Sequence, residues 1–354
     1  WPQARRYTDF REMLDQESNL DGVIVGTPDH THAAISMAVL DAGCHLFCQK
    51  PLTHDLYESR VLSRKAAETG LVTQLGIQGH SGAGRVAIKE WIQSGVLGAV
   101  AEVDAWCSLS YSPPGHASWS SPCRERPSSG QPVPEGLKSW DLWIGPAPMR
   151  PYHSCYHPRV WRCWWDFGCG MMGDRGVHTF DPIVSALELG PPESVEAWGV
   201  EGGNDEVHPD RVVVRYRFPA RDGFPPLILT WYEGQEPPRP KELEPGRELP
   251  KEVYGDSPRL IPESAMEAFR RPPRTLPRIR GSHEGEWLRA IRQGRPANAG
   301  FAYSGPLNET VLLGNVAKRF PGRLLEWDAE NLRVRHLPEA SSWIRRPRRD
   351  GWSL

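Results

Sequence analysis

The amino-acid sequence predicts an α/β domain built on a parallel sheet, followed by an α+β domain with an open, mostly antiparallel sheet. Short apolar strands and segments of helical periodicity alternate strictly from residue 22 to residue 98, as crossover units of a parallel sheet do. Beyond residue 98, longer segments alternate apolar with polar residues, which is typical of antiparallel strands with one exposed face. We therefore expect one domain over residues 1–97 and a second over 98–354.

Each element of the first domain has its own pattern. GVIVG (22–26) is a short apolar run, as expected of a strand buried on both faces. The next segment spaces its apolar residues as a helix does, and Gly43 stands where a helix end favours glycine. The remaining elements follow in alternation: strand HLFCQ (45–49), a helix ending at Gly70, strand LVTQLGIQ (71–78) and a helix ending at Gly95.

The second domain opens with a long alternating strand at 99–109 and continues with a Pro-, Ser- and Gly-rich loop at 112–136. Three more strands are predicted: SVEAWGVEGG (194–203), DRVVVRYRFPA (210–220) and PLILTWYEG (226–234). Helical patterns return at 283–294 and 305–320. We expect substrate specificity to depend on the loop at 112–136 and on a Pro-, Arg- and Glu-rich excursion at 234–281. The basic end IRRPRRD (344–350) is expected to be a solvated tail.

Composition excludes several classes of protein. The net charge of −2 gives no electrostatic basis for a nucleic-acid partner, and no apolar run approaches the roughly 18 residues of a membrane span. Seven cysteines without regular spacing do not form a disulfide framework, so we expect reduced, mostly structural thiols. The spacing within HSCYH (153–157) matches no familiar zinc pattern, so we expect no metal.

Polar residues follow all three strands of the predicted parallel sheet. These segments are TPDHTH (27–32), QKPLTH (49–54) and IQGHS (77–81). Ligands of open parallel sheets bind beyond the carboxyl ends of the strands. The three segments therefore predict one shared crevice.

A G-x-G-x-x-G pattern occurs at Gly168, Gly170 and Gly173, but its context differs from that of a dinucleotide-binding loop. An aromatic and charged segment precedes it instead of a β-branched strand, and the helix that follows leads into antiparallel strands. We expect these glycines to allow a tight helix entry and close approach of the backbone to a ligand.

Asp174 and His178 are four residues apart and share one face of the predicted helix that begins near Asp174. A carboxylate in this position can orient an imidazole, and histidine suits a general base. The alternative is that Asp174 caps the helix and that His178 is a histidine of the core.

The sequence resembles the Gfo/Idh/MocA family, the relatives of glucose–fructose oxidoreductase and inositol dehydrogenase. The resemblance extends from about residue 7 to residue 330 and includes a T-P-x-x-x-H motif, a Lys-Pro dipeptide and a D-x-x-x-H motif in this order. It implies a Rossmann-type first domain that binds NAD or NADP, and a second domain that covers the substrate. It also implies a homo-oligomer, a dimer or tetramer, formed through the second sheet.

The family's functional residues map onto matching positions here. Lys50 would hydrogen-bond the substrate hydroxyl, His178 would take its proton, and Asp174 would hold a neighbouring hydroxyl or the histidine. The residues expected at the cofactor are Thr27, Pro28, Asp29, His32, Gln49, Lys50, Pro51, Gln78, Trp161 and Arg162. The residues expected at the substrate are His153, Tyr156, Trp165 and Tyr303.

Two departures from the family pattern bear on the cofactor. Gln49 stands where the family has Glu, which predicts weaker cofactor affinity. The family begins with a strand, a G-x-G-x-x-G turn and a helix, and this sequence starts after them, so we expect it to represent a truncated form of a complete gene. The choice between NAD and NADP stays open, because the residue that selects lies in that segment.

The resemblance predicts an oxidoreductase that acts on a secondary hydroxyl of a sugar, polyol or glycoside. One alternative is a redox-neutral enzyme that retains NAD and epimerises or cleaves a glycoside. A second is a sugar-binding descendant without catalysis, against which the presence of Lys50, Asp174 and His178 argues. We expect a cytoplasmic location, with export as the alternative.

Overall fold

Among the described residues, the first sheet consists of the three predicted strands, which are parallel and lie side by side in chain order. The computed structural model describes residues 2–111, 119–221, 223–238 and 272–354. The helices and strands of the first 97 residues are α1 (Phe10–Gln16), β1 (Gly22–Val25), α2 (His32–Asp41), β2 (His45–Gln49), α3 (Leu56–Thr69), β3 (Thr73–Gly76) and α4 (Ala83–Gln93).

Local sequence fixes both ends of α3. The side chain of Asp55 accepts a hydrogen bond from the Glu58 amide at 2.8 Å, and the Glu58 carboxylate accepts one from the Asp55 amide at 3.2 Å, which makes a capping box. Gly70 ends the helix in the left-handed region, with a φ of +66°. The short loop between β2 and this cap carries Lys50.

Strand β1 is more exposed than its sequence predicts. Within the part of the chain that the structure describes, it lies at the edge of the sheet, where it pairs with β2 alone. Val25 is buried, but the side chain of Ile24 is 60% exposed. The prediction of a strand buried on both faces is therefore wrong for β1, because an apolar run does not show whether a neighbouring strand or helix covers each face.

The elements that follow along the chain are β4 (Glu102–Cys107), α5 (Trp140–Ile144), α6 (Val177–Leu187), β5 (Ser194–Glu201), β6 (Arg211–Phe218), β7 (Leu227–Glu233), α7 (His283–Gln293), α8 (Phe301–Lys318), β8 (Leu325–Asp328), β9 (Arg333–Val334) and α9 (Ser341–Ile344). Among the described residues, the strands of this group form a second sheet of six in the order β4-β7-β6-β5-β8-β9. The pairing is antiparallel except between β4 and β7, which are parallel. The mostly antiparallel sheet is confirmed.

Two late helices pack on the first sheet. Trp287 of α7 meets Phe47 of β2, with ring centroids 5.8 Å apart. In α8, the Asn308 amide donates to the Ser59 hydroxyl of α3 at 2.7 Å. The guanidinium of Arg60, also in α3, donates two hydrogen bonds to the Glu309 carboxylate. Residues far along the chain thus complete the parallel-sheet half, while the division at residue 97 stays a prediction.

The last residues, 341–354, cross from the second sheet to the first half of the chain, and we call them the C-terminal strap. Arg348 pairs with the buried carboxylates of Asp55 and Glu58, at 3.4 and 3.1 Å. Trp352 is 6% exposed and packs against Phe10. The prediction of a solvated tail is wrong, because its cations meet carboxylates that α3 presents.

Cys123 and Cys155 form a disulfide across 32 residues. The prediction of reduced thiols is wrong for this pair, because sequence spacing does not show which distant loops fold together. The other five cysteines are buried. Within the described ranges, no helix combines the length and apolar character that crossing a membrane requires.

Candidate active site

The carboxyl end of β2 brings Lys50 to the junction of the two sheets. The Lys50 ammonium pairs with the Asp174 carboxylate and also donates to the Asp174 main-chain oxygen at 3.3 Å. Lys50 belongs to the parallel-sheet half and Asp174 to the helical segment before β5. This contact therefore joins the two halves and brings together two of the three predicted catalytic residues.

Asp174 lies in a π-helical turn, Met172–Gly176, that leads directly into α6. The sequence predicts an ordinary α-helix here. A π turn accommodates one extra residue in the hydrogen-bonded ring, and such turns are frequent at functional sites. His178, the third predicted catalytic residue, follows in the first turn of α6 and is half-buried.

The glycines before this turn serve close packing. Gly170 has a φ of +60°, and a Cβ added there would lie 2.6 Å from Nδ1 of His208. A Cβ on Gly168 would lie 2.5 Å from the main-chain oxygen of Arg162. The predicted close approach exists, but it is to protein atoms. The segment belongs to no strand–turn–helix unit of the parallel sheet, as the sequence context indicates.

Two further side chains hold the Asp174 carboxylate. The Tyr111 hydroxyl donates a hydrogen bond to it. Nε of Arg162 lies 3.9 Å from the same carboxylate, and the Arg162 guanidinium packs on the rings of Trp119 and Trp161 at 4.5 and 4.4 Å. Tyr111 lies just after β4 and belongs to no sequence motif, so the sequence alone does not indicate its role.

Burial governs the protonation of this cluster. Burial, together with the neighbouring Asp29 carboxylate, raises the pKa of Asp174 to about 7, while the Arg175 cation opposes the rise. Burial also lowers the pKa of Lys50 to about 8, with Arg162 contributing in the same direction and Asp29 opposing. Burial therefore opposes the charged forms of both partners of this ion pair.

His178 is neutral at physiological pH. Burial lowers its pKa to about 4, and the Lys50 cation contributes to the fall, while the Asp181 carboxylate opposes it. A neutral imidazole can accept a proton. His178 thus has the charge state that a general base needs.

A second polar cluster, formed by His80, Asp181 and Tyr303, lies close to His178. Nδ1 of His80 is 2.6 Å from the Asp181 carboxylate, and the Tyr303 hydroxyl donates to that carboxylate at 2.6 Å. The structure thus places Tyr303, a predicted substrate residue, inside α8 with its hydroxyl on Asp181. Asp181 follows His178 by three residues on α6, and this spacing could have identified it in the sequence.

Thr27 and Pro28, which follow β1, line a cavity of about 370 Å³ together with residues of α5 and Trp352. Residues 49–54 and 77–81 are not in its lining, so the single crevice shared by all three segments stays a prediction. His32 is buried, and its ring nitrogens lie 2.8 Å from the Thr27 carbonyl and 2.7 Å from the Pro51 carbonyl. The structure thus places His32 between two strand ends, which it joins, rather than on the crevice wall.

The other predicted cofactor residues divide into buried and accessible groups. Asp29 is buried and accepts a hydrogen bond from the Cys169 amide at 2.9 Å. Pro51 and Trp161 are also buried. Gln49 is half-buried beside Gly76, and Gln78 is exposed in the turn after β3. The side chains of Lys50 and Arg162 are each 23% exposed.

The predicted substrate residues do not converge. Tyr156 is 2% exposed and packs edge-on against Trp164. Trp165 is 3% exposed and lies on the ring of His208. His153 is half-buried beside the disulfide. Tyr156 and Trp165 thus lie in the core, because aromatic rings pack there unless a pocket exposes one of their faces.

Family models and curated relatives provide the comparison with known proteins. The sequence model of an oxidoreductase family, Gfo/Idh/MocA, which describes its NAD-binding Rossmann fold, matches residues 1–77. The model of the same family's C-terminal alpha/beta domain matches residues 84–223. The scyllo-inositol 2-dehydrogenase (NAD(+)) of Bacillus subtilis is 33% identical over 87 residues, 25% of each chain. A levoglucosan dehydrogenase of Pseudarthrobacter phenanthrenivorans is 27% identical over 103 residues, 27% of this chain and 26% of its own.

The similarity to these relatives therefore spans about a quarter of their length. Among solved structures, the WlbA dehydrogenase of Bordetella pertussis in complex with NADH and UDP-GlcNAcA superposes with a TM-score of 0.57 at 15% identity. That match covers 92% of this chain and 84% of the other, and it shows a shared fold. Together the two family models span more than half of the sequence, so this chain belongs to the Gfo/Idh/MocA oxidoreductase family.

Proposed function

We propose that this chain acts in an NAD(P)-dependent oxidoreductase that oxidises or reduces a secondary hydroxyl group of a sugar, polyol or glycoside. One observation carries the proposal: Lys50 and the Asp174 carboxylate form an ion pair at the junction of the two sheets, with His178 on the same helical segment. In the oxidation of an alcohol, a neutral imidazole can accept the hydroxyl proton, a cation can stabilise the oxygen, and a carboxylate can position both.

Four of the residues expected at the cofactor would hold its nicotinamide end. Thr27 lines the cavity after β1, the Gln49 amide ends the neighbouring strand, and the cations of Lys50 and Arg162 remain partly accessible. These groups can donate to ribose hydroxyls and to the carboxamide. When bound, the cofactor supplies the acceptor or donor of hydride.

The side chains then manage the proton. His178 accepts the proton of the substrate hydroxyl as hydride leaves the carbon that bears it. Lys50 donates a hydrogen bond to the oxygen and stabilises the negative charge that develops there. Asp174, which is held by Tyr111 and Arg162, keeps the Lys50 ammonium in place. It also accepts a hydrogen bond from the substrate hydroxyl next to the reacting one.

The names of the relatives support a polyhydroxylated substrate. One acts on scyllo-inositol and another on levoglucosan, and both are compact rings with several secondary hydroxyl groups. The carboxylate beside Lys50 suits such a ring, because it can hold the hydroxyl next to the reacting one.

The experiment is a screen of the purified chain with NAD⁺ or NADP⁺ against inositols, anhydrosugars and methyl glycosides. We expect cofactor reduction, followed by fluorescence, with at least one of them. Replacement of His178 by Ala should lower the rate about 10²- to 10⁴-fold and leave the thermal unfolding midpoint unchanged.

Product analysis by mass spectrometry runs alongside, because an epimerised or cleaved product without net cofactor reduction would identify redox-neutral chemistry. The proposal fails if the chain neither binds a nicotinamide cofactor in a fluorescence titration nor converts any substrate.

A further inference from the structure

We infer that Cys123, His153 and Cys155 form a metal site that takes Zn²⁺ when the disulfide between the two cysteines is reduced. The disulfide joins residues whose Cα atoms lie 5.7 Å apart. The potential ligand atoms of all three side chains lie within 4.8 Å of one another. The spacing within HSCYH does not match a zinc site, because the third ligand, Cys123, comes from a loop 30 residues before His153.

The donor set matches the preference of zinc. Two thiolates and one imidazole, with water in the fourth position, form an established tetrahedral arrangement. With Zn–S bonds of about 2.3 Å and a Zn–N bond of about 2.0 Å, the ligand atoms of such a site stand about 3.5–3.8 Å apart. Separation of the two sulfur atoms on reduction therefore needs only a small movement of side chains.

The surroundings hold the imidazole and leave an entry path. Nδ1 of His153 accepts a hydrogen bond from the Cys155 amide at 3.1 Å, and its Nε2 lies 3.1 Å from the side-chain amide of Gln131. Gln131 is itself held by the Ser154 amide. Cys155 is buried, whereas Cys123 and His153 are half-buried. An ion can therefore reach the cluster from the solvent side, after one ring nitrogen exchanges its hydrogen bond for the metal.

Disulfide and metal would make the same connection. Either one ties the loop that contains Trp119 to residues 151–157, and the Ser121 hydroxyl adds a hydrogen bond to the Cys155 carbonyl at 3.1 Å. Trp119 packs on Arg162, which lies 3.9 Å from the Asp174 carboxylate. The cross-link thus supports one wall of the candidate active site in oxidising surroundings as a disulfide and in reducing surroundings as a zinc thiolate.

A water-soluble phosphine reduces the disulfide to two thiols, and the phosphine becomes its oxide with oxygen from water. Zn²⁺ then displaces one proton from each thiol and forms two Zn–S bonds. No change in the oxidation state of the metal is involved.

The test uses the whole chain, reduced with the phosphine and titrated with Co²⁺ without oxygen. We expect one equivalent of Co²⁺ to bind, with thiolate-to-cobalt charge-transfer absorption and tetrahedral d–d bands, and Zn²⁺ to displace it. The protein before reduction should show neither band. A thiol assay in denaturant should count five thiols before reduction and seven after it, which reports the disulfide directly.

Two variants and a control separate this site from other cysteines. Cys123→Ser and His153→Ala should each weaken Co²⁺ binding at least tenfold, and His153→Ala keeps the disulfide, so its folding can be checked before reduction. Cys163→Ala removes a nearby thiol whose pKa burial raises to about 12; it should bind one equivalent unchanged.

The inference is overturned if the reduced chain binds no Co²⁺, or if binding survives both Cys123→Ser and His153→Ala. The measurement needs neither cofactor nor substrate, so its outcome is independent of the proposed oxidoreductase activity.

Discussion

Two lysine–carboxylate pairs in this molecule have the same chemistry but differ in how far the lysine is exposed to solvent. Lys50 and Asp174 meet at the junction of the sheets, where the lysine side chain is 23% exposed. Lys318 and Glu233 meet inside the second half at 2.6 Å, with side chains 0% and 1% exposed. The Trp231 indole N–H also donates to Glu233, at 3.0 Å.

Exposure to solvent decides whether an ion pair can also bind a ligand. A pair sealed from solvent and ligand can only hold its own elements together, here α8 and β7. A pair at an accessible junction can exchange a partner for a substrate hydroxyl. Accessibility and the proximity of His178 distinguish the candidate active site from the structural pair, since the charges alone do not.

The largest expected effect is on activity, from Lys50→Met. Removal of the cation that stabilises the developing oxyanion should lower kcat/KM about 10³-fold. Stability should change by only about 1 kcal/mol, because Asp174 keeps its hydrogen bond from Tyr111 and can take up a proton near neutral pH. Steady-state kinetics and urea unfolding measure the two effects. Lys65→Met, at a surface lysine paired with Asp41, is the matched control and should change neither.

Lys318→Met should give the reverse pattern. It leaves Glu233 buried without its cation, which should lower the free energy of unfolding by about 3–5 kcal/mol. The double variant Lys318→Met with Glu233→Gln should recover most of that loss, because no uncompensated charge remains. A loss of activity in the double variant with stability restored would show that this pair is not merely structural.

The proposed activity should depend on pH through Lys50. The pKa of Lys50 is lowered to about 8, so its ammonium is present below that pH and is lost above it. We therefore expect kcat/KM to fall about tenfold per pH unit above pH 8. Lys50→Arg should remove this alkaline limb, because a guanidinium stays charged. An unchanged limb in that variant would assign the titration to another group.

The smallest expected effect concerns the C-terminal strap. Arg348→Ala removes the cation beside the buried carboxylates of Asp55 and Glu58, so the free energy of unfolding should fall by about 2 kcal/mol. Arg323→Ala breaks an exposed pair with Glu339 and should have no measurable effect. Equal effects of the two substitutions would mean that the strap adds no more stability than a surface contact.

The sequence predicts the periodic elements well, because the alternation of strands and helices is a local property. HLFCQ forms β2 over the predicted residues, and Gly70 ends α3 as predicted. The proximity of Lys50 and Asp174 could be expected from the resemblance to the family. It could not be derived from spacing, since 124 residues separate them.

Other features depend on contacts between distant loops and therefore have no local pattern. Tyr111, the disulfide and the docking of the C-terminal strap all belong to this group. The π turn around Asp174 is also absent from the pattern, because four-residue spacing is read as an ordinary helix. The loop segments 112–118 and 239–271, in which we expect part of the specificity, lie outside the described residues.

The return of α7, α8 and the C-terminal strap to the first sheet has a consequence for synthesis on the ribosome. The parallel sheet emerges first, but Phe47 stays uncovered until Trp287 has been made, and Asp55 stays without its guanidinium partner until Arg348 has been made. Contacts across more than 200 residues form slowly, because the loop must close before they contribute. The half of the protein that is translated first is therefore the half that waits longest for its complete native packing.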